Sequence, residues 1–153
     1  MWPQAEEAHF QRSLEAMSQD PERLIESSLP KNGPPNGHTG SWEYRWDNGR
    51  VAAEVGYVNG VKSGKARGWY PSGKLAFEGE YDKNLRSGTR VKYYESGAKY
   101  CEAHYQGGSL NGGYAEWHKN GQKYSEGQYQ RGQKIGVWRY WYANGKPMRG
   151  ASE

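Results

Sequence analysis

From residue 40 onward, apolar and polar residues alternate over short runs, and glycine-containing turns separate the runs. Residues 65–70 and 74–81, for example, flank a turn that ends in Ser72-Gly73. Alternation with a period of two is typical of β-strands, and Asn-Gly or Ser-Gly supplies the positive φ that a tight turn requires. The pattern therefore predicts β-hairpins, with residues 82–87 crossing from this hairpin to the next.

The hairpin pattern repeats with a period of 24 residues. Two glycine columns, one Glu column and one Tyr column keep this spacing, and Asn or Ser precedes each glycine of the second column. We assign these columns a structural role: Gly40, Gly64, Gly88, Gly112 and Gly136; Gly49, Gly73, Gly97, Gly121 and Gly145; Glu54, Glu78, Glu102 and Glu126; Tyr57, Tyr81, Tyr105 and Tyr129. A single hairpin cannot bury its face alone, so stacking on neighbouring units must stabilise it. The predicted fold is mainly β, a single-layer antiparallel meander of about five hairpin repeats with nine or ten strands.

Residues 1–39 lie outside the repeat and contain helical signals. Apolar residues at helical spacing predict a helix over about residues 4–18: Phe10, Leu14 and Met17. Asp20 and Pro21 are typical of the N-cap and first residue of a second, short helix. The helices are expected to cover the first edge or one face of the array, because an open sheet edge invites aggregation.

The predicted organisation has three parts: an N-terminal helical cap at residues 1–30, a linker at residues 31–39 and the repeat array at residues 40–153. The last unit, residues 136–153, lacks the Glu and the Tyr of the other units. We interpret it as a capping unit, in which Pro147 is tolerated because proline suits an edge strand.

Composition and charge refine this picture. The chain has 22 aromatic side chains against 14 Leu, Ile and Val, so ring faces must form most of the core. Residues 1–35 carry a net charge of −3, and the rest of the chain carries +7. The acidic head could complement the basic array internally, or the array could offer a surface to an anionic partner.

Catalytic and metal chemistry find little support in the sequence. The four histidines are scattered, and none has ligand spacing with Cys101, the only cysteine. Cys101 is expected to be a small core residue, and the Glu column is expected to pair with Lys or Arg of the turns or to accept backbone N–H groups. A catalytic carboxylate pair would appear once, in a cleft, whereas this column recurs in four units. We expect neither an enzyme nor a cofactor or metal site.

The repeated residues resemble MORN repeats, in particular the bacterial variant found in YwqK-type antitoxin proteins. The resemblance is carried by residues 69–74 with 77–79 and Tyr81, and again by residues 117–121 with 125–127 and Tyr129. It departs from the family in the third unit, where Ala103 replaces the glycine after Glu. The resemblance implies a β-meander without catalytic residues, and roles in scaffolding, membrane association or toxin neutralisation.

A candidate partner-binding surface follows from strand alternation. The residues before the turns are expected to share one sheet face with the aromatic and charged residues two and four positions earlier, while a second aromatic column, which includes Trp69 and Trp117, points to the other face. One face is expected to be stacked core and the other an aromatic surface with Arg and Lys. The candidate partner-binding residues are Trp42, Tyr44, Trp46, Tyr70, Arg90, Lys92, Tyr94, Tyr114, Glu116, His118, Trp138, Tyr140 and Tyr142.

The leading functional hypothesis is a non-catalytic bacterial antitoxin or immunity-type protein that binds a protein toxin or effector. The alternative is a peripheral scaffold for anionic lipid headgroups, to which each basic residue contributes about 1 kcal/mol near a charged leaflet. Single-stranded nucleic acid is a weaker possibility, because carboxylates interrupt the basic residues.

No apolar run approaches the roughly 18 residues of a membrane span. The compartment stays open between bacterial cytoplasm and periplasm, since a removed signal peptide is compatible with this sequence.

Overall fold

The computed structural model describes residues 19–27 and 32–149. Its strands form one antiparallel sheet in chain order, each hydrogen-bonded to the next, which confirms the predicted meander. The strands are β1 (Gly40–Arg45), β2 (Val51–Val58), β3 (Val61–Trp69), β4 (Leu75–Asp82), β5 (Leu85–Tyr93), β6 (Lys99–Gln106), β7 (Ser109–Trp117), β8 (Lys123–Gln130) and β9 (Gln133–Tyr140).

The turns within the hairpins contain the predicted Asn-Gly or Ser-Gly, and we call them the wide turns. After β1, Gly49 has a φ of 86°, and its N–H donates to the Trp46 carbonyl at 2.9 Å. The Asn48 side chain accepts the Arg50 N–H at 2.9 Å, which closes the turn locally. At every later wide turn the side chain at the same position accepts the N–H of the residue two positions later. The acceptors are Ser72, Ser96, Asn120 and Asn144.

The connections between these hairpins are tighter than predicted. The expected crossing over residues 82–87 is wrong, because β4 ends at Asp82 and β5 begins at Leu85. Lys83 and Asn84 form a two-residue turn with φ values of 49° and 72°. Such a turn matches the twist of the flanking strands, but Lys-Asn lacks the glycine that signals it in sequence. The Asn84 N–H also donates to the Lys62 carbonyl at 2.9 Å, which joins this turn to the preceding unit.

One of the two predicted helices lies within the described residues. Helix α1 (Glu22–Ile25) begins one residue after the predicted start, and the Asp20 side chain accepts the Glu22 N–H at 2.9 Å. The helix predicted over residues 4–18 lies outside the described residues. We refer to residues 19–27 as the N-terminal segment.

The sheet has two unlike faces. The face that bears Tyr44, Val55, Phe77, Arg90 and Trp138 holds the buried side chains, and we call it the covered face. The other face bears the Glu column and a row of half-buried aromatic residues, and we call it the open face.

The N-terminal segment lies on the covered face, which settles the choice between edge and face for this helix. Ile25 is buried with Tyr44, Tyr57 and Phe77. Gly68 leaves the space that Pro21 occupies, since a Cβ there would lie 2.5 Å from the proline Cγ. The far end of the same face has a second core cluster, formed by Tyr124, Trp138, Tyr140 and Met148.

Candidate protein-binding surfaces

The strand register brings the predicted partner-binding residues to the covered face. Arg90 lies opposite Ala103, which in turn pairs with Tyr114, and Glu116 pairs with Ser125 opposite Tyr140. Most of these side chains are buried within the chain. Partner binding by them stays a prediction, and in this conformation their side chains contact other parts of the same molecule.

The residues before the turns form a hydrogen-bond ladder between units. Trp46 Nε1 donates to the Trp69 carbonyl at 2.9 Å, and the Tyr70 hydroxyl donates to the Tyr93 carbonyl. One unit further, the Tyr94 hydroxyl donates to the Trp117 carbonyl at 2.6 Å, and His118 Nε2 lies 2.8 Å from the Trp141 carbonyl. Each bond spans 23 residues, so this column joins every unit to the next. The rungs are Trp46, Tyr70, Tyr94 and His118.

The aromatic residues of the last two units pack against each other. The Trp138 ring centroid lies 5.7 Å from Tyr114 and 5.1 Å from Tyr129. Gly127 makes room for the indole, because a Cβ there would overlap the Trp138 ring. The Tyr114 hydroxyl donates to Glu116 at 2.6 Å, and burial raises the pKa of Tyr114. These side chains form an aromatic core rather than a free surface.

The first unit buries its aromatic residues differently. The hydroxyls of Tyr44 and Tyr57 lie 2.6 Å apart in the cluster with Ile25, and the Trp42 indole donates to the Asn32 carbonyl at 2.9 Å. Tyr142, after the last strand, is half-buried and packs against the aromatic cluster at the other end of the sheet. The two ends of the covered face thus differ in what covers them.

Three cations of β5 bind the carboxylates of the N-terminal segment. We call Arg86, Arg90 and Lys92 the basic cluster, and Asp20, Glu22 and Glu26 the acidic trio. Arg90 forms an ion pair with Glu22, and both side chains are almost completely buried, at 2% and 3% exposure. The charge asymmetry noted in the sequence is therefore used, in this region, for an internal contact.

The remaining contacts make this cluster a network. Lys92 Nζ lies 2.8 Å from Glu22 Oε1, and Arg86 Nη2 lies 2.8 Å from Glu26 Oε1. The Tyr81 hydroxyl donates to Glu26, and the Arg90 guanidinium lies 4.9 Å from the Tyr81 ring centroid. Gly79 leaves room for this guanidinium, since a Cβ there would lie 2.8 Å from Arg90 Nε.

The electrostatics of the acidic trio are not uniform. Burial raises the pKa of Glu22, but the positive charges of Lys92, Arg90 and Arg86 outweigh it and hold the pKa below its ordinary value. Burial also opposes ionisation of Glu26, whose pKa is nevertheless lowered by hydrogen bonds from Arg86 and Tyr81. For Asp20, burial dominates over the nearby Lys92, so its pKa is raised. Glu22 and Glu26 therefore contribute most of the charge-dependent attraction.

Sequence reasoning placed Arg90 and Lys92 on one face with the other candidate residues, as the strand register has it, but missed their partners within the chain. Asp20, Glu22 and Glu26 were not among the candidate residues, and Arg86 was not either. The only signal in the sequence was the acidic head opposite a basic array. Local sequence patterns could not indicate that Glu22 pairs with Arg90, because the two residues are 68 positions apart.

The open face carries a half-buried aromatic row with cations beside it. The row consists of Trp69, Tyr93 and Trp117, which end the alternate strands β3, β5 and β7. Arg67 lies 5.8 Å from the Trp69 ring centroid, and Lys99 lies 5.4 Å from that of Trp117. The candidate partner-binding residues of the sequence analysis, including Arg90 and Lys92, lie on the covered face and not on this one.

The Glu column runs beside this aromatic row. Glu54 lies 3.5 Å from Arg67, Glu102 lies 2.8 Å from Lys99, and Glu126 lies 3.1 Å from Lys123. Glu78 accepts a hydrogen bond from the Tyr93 hydroxyl at 3.4 Å. These partners agree with the expected pairing role, although they come from strands and not from turns.

Cys101 is buried, and burial raises the pKa of its thiol to about 12. A thiol in this state is a poor nucleophile at neutral pH. Within residues 19–27 and 32–149, no three His, Cys, Asp or Glu side chains are placed to hold a metal ion. The helical part of the described chain includes nothing long and apolar enough to cross a membrane.

Comparison with known proteins supports the repeat assignment. Residues 62–83 and 134–149 match the model of the MORN repeat variant, and they overlap the second and fifth units. The intervening units share the same strand pairing and turns, which supports a MORN-repeat protein. No curated protein matches this chain significantly.

Among solved structures, the crystal structure of the GtfA/B complex bound to UDP and GlcNAc is similar to this chain at 12% identity. The match has a TM-score of 0.34 and covers 82% of this chain and 25% of that one.

Proposed function

We propose that this chain is a non-catalytic protein-binding repeat protein that engages its partner through the open face. The observation that carries the proposal is the aromatic row of Trp69, Tyr93 and Trp117 with cations beside it. Trp, Tyr and Arg are enriched among the residues that contribute most to protein interfaces. The covered face gives this row a rigid base, so little order has to be gained on binding.

The partner class we propose is a protein toxin or effector, which makes the chain an antitoxin or immunity-type protein of a bacterium. The support is the sequence resemblance to YwqK-type antitoxins, the matched MORN repeats and the extended aromatic surface. Such a protein needs no chemistry of its own, because occluding the partner's active surface is sufficient.

Affinity capture with the products of neighbouring genes tests this proposal. The immobilised full-length chain is expected to retain one of them with sub-micromolar affinity. Trp117→Ala should weaken that complex about 30-fold, since an interface hot spot contributes about 2 kcal/mol or more. Leu85→Ala is the matched control, because Leu85 is an apolar residue that is 49% exposed but lies at the opposite end of the hairpins. Unchanged binding by both Trp69→Ala and Trp117→Ala would contradict the use of the open face.

Anionic lipid is the alternative partner. The cations of the open face alternate with the Glu column, so this face is mixed in sign, and the basic cluster is paired with the acidic trio. Flotation with vesicles of phosphatidylserine and phosphatidylcholine, at low and physiological salt, separates the two functions. Binding that survives physiological salt would favour the lipid function over the protein-binding one.

A further inference from the structure

We infer that the groove on the covered face of β3–β6 is a binding site for an acidic amphipathic segment of a partner protein, and that the N-terminal segment occupies it as a resident competitor. The inference concerns the face opposite the one used in the proposed function. It does not depend on that function.

The chemistry of the ligand is defined by what occupies the groove in this chain. The segment supplies carboxylates at positions 20, 22 and 26, one buried aliphatic side chain, Ile25, and Pro21 against the backbone of Gly68. The sheet supplies the basic cluster and the rings of Phe77 and Tyr81. A partner segment with three carboxylates and one aliphatic residue at this spacing would make the same contacts.

The resident segment leaves part of the site unsatisfied. Arg90 is 2% exposed, yet its Nε has no hydrogen-bond partner among the described residues. Lys92 and Glu22 form an ion pair at 2.8 Å, but Glu22 Oε1 is buried without hydrogen-bond geometry. Buried charges are costly unless hydrogen bonds satisfy them fully. A ligand that also accepted a hydrogen bond from Arg90 Nε would bind better than the resident segment.

The groove also extends beyond the resident segment. A cavity of about 530 Å³ lies between the N-terminal segment and the sheet, and Tyr70, Ala76 and Tyr100 line its sheet side. Lys92 and Arg86 line it together with the acidic trio, so these two cations would border the free space without their carboxylates once the N-terminal segment leaves. A longer acidic segment would fill this volume while keeping the contacts of the resident one.

The resident segment is suited to release. Helix α1 has four residues, too few for a helix to be stable without tertiary contacts. Its attachment to the sheet depends on the ion pairs and on Ile25, and the ion pairs weaken with salt where they are solvent-accessible. Short segments with few apolar contacts are the parts of a protein that open at least cost.

A trans-binding experiment with the full-length chain tests the inference. The probe is a fluorescein-labelled peptide of residues 19–27, and the binding chain carries Asp20→Asn, Glu22→Gln and Glu26→Gln so that its own segment no longer competes. We expect this chain to bind the probe about 10- to 100-fold more tightly than the wild type, the factor that follows if the wild-type groove is open in about 1–10% of molecules, as is typical of minor conformers. The matched control is the same peptide with its three carboxylates replaced by amides, which should not bind.

Two further variants locate the site and guard against misfolding. Arg86→Gln in the opened chain should weaken probe binding at least tenfold, whereas Arg45→Gln, which removes an exposed cation of the open face, should not. If the triple variant loses cooperative unfolding, Ile25→Ser opens the groove while keeping the carboxylates, and the same increase in affinity is expected.

The inference is overturned if a folded, opened chain fails to bind the probe, or if it binds the charged and neutral peptides equally. It is also overturned in favour of a second copy if the wild-type chain forms a dimer that Ile25→Ser abolishes. Light scattering across protein concentration detects that dimer.

Discussion

The two halves of one repeat array bury the same sheet face in different ways. In the first half, small residues such as Ala53, Ala66 and Gly68 leave a shallow floor, and the N-terminal segment covers it. In the second half, Trp138 and its neighbouring tyrosines fill the space themselves. The repeat therefore sets the backbone, while the residues that vary between units decide what covers it.

Two facing columns show how this difference arises. On adjacent strands, Val55 pairs with Ala66 and Ala103 pairs with Tyr114. Gly79 makes room for Arg90, and Gly127 makes room for Trp138. In these last three pairs, a large side chain on one strand faces glycine or alanine on the preceding strand. Val55 instead faces the small Ala66, and of these pairs only this one leaves room above the sheet for Ile25.

The largest expected effect comes from removing the indole that fills the second half. Trp138 is 4% exposed, so Trp138→Ala should lower the free energy of unfolding by about 3–5 kcal/mol, as aromatic truncations in cores do. Urea unfolding followed by circular dichroism measures the loss. Val137→Ala in the same strand is the control and should change stability by less than about 0.5 kcal/mol, because Val137 is 69% exposed. Equal losses for both variants would mean that the cluster is not the core of this half.

Detaching the N-terminal segment should cost less. Glu22→Gln removes the closest charge partner of the buried Arg90 and leaves only Glu26 Oε2, at 3.8 Å. Breaking a buried ion pair costs about 3–5 kcal/mol when the site stays closed. Because the segment can lift and expose Arg90 to water, we expect a loss at or below about 3 kcal/mol. Glu43→Gln serves as the control, since its ion pair with Arg45 is exposed and contributes at most about 1 kcal/mol. A loss as small as that of the control would contradict a stabilising role for the buried pair.

The stability difference between wild type and Glu22→Gln should depend on pH. The pKa of Glu22 is lowered in the folded chain, so its contribution is complete above the unfolded pKa of about 4.3 and is lost as pH falls through the folded value. We expect a constant difference above about pH 5 and a shrinking one below about pH 4. Thermal unfolding of both chains between pH 3 and pH 7 measures it. A difference that grew on acidification would reverse the assigned sign.

A smaller effect tests the coupling between the two columns. Gly127→Ala introduces a Cβ that overlaps the Trp138 ring, and overpacking of this kind costs about 1–3 kcal/mol. In a Trp138→Ala background, Gly127→Ala should change the free energy of unfolding by little more than the difference in strand propensity between alanine and glycine, because the ring that its Cβ overlaps is gone. A double-mutant cycle gives the coupling free energy. Additive effects would show that glycine is required here for its backbone alone.

The sequence predicted the sheet well because its signals are local. Alternation and Ser72-Gly73 fix strands and turn within one unit, and the 24-residue period extends them. The turn at Lys83-Asn84 was missed because it contains no glycine, the residue that usually indicates a positive φ, although Asn84 has a φ of 72°.

The covering of the sheet was less predictable because its contacts are distant in sequence. Tyr94 looked like a surface aromatic residue, yet its hydroxyl meets a carbonyl 23 residues away. Glu22 meets Arg90 across 68 residues, and only the charge asymmetry indicated that pairing. Alternation identified which residues share a face, but not which of the two faces is covered.

Site-resolved hydrogen exchange of wild type and Glu22→Gln tests whether the two halves of the sheet are stabilised independently by what covers them. We expect amide protection to fall in β2–β5, beneath the N-terminal segment, while β7–β9 keep wild-type protection because Trp138 and its neighbours cover them. An equal loss of protection along all nine strands, or none in β2–β5, would contradict this independence.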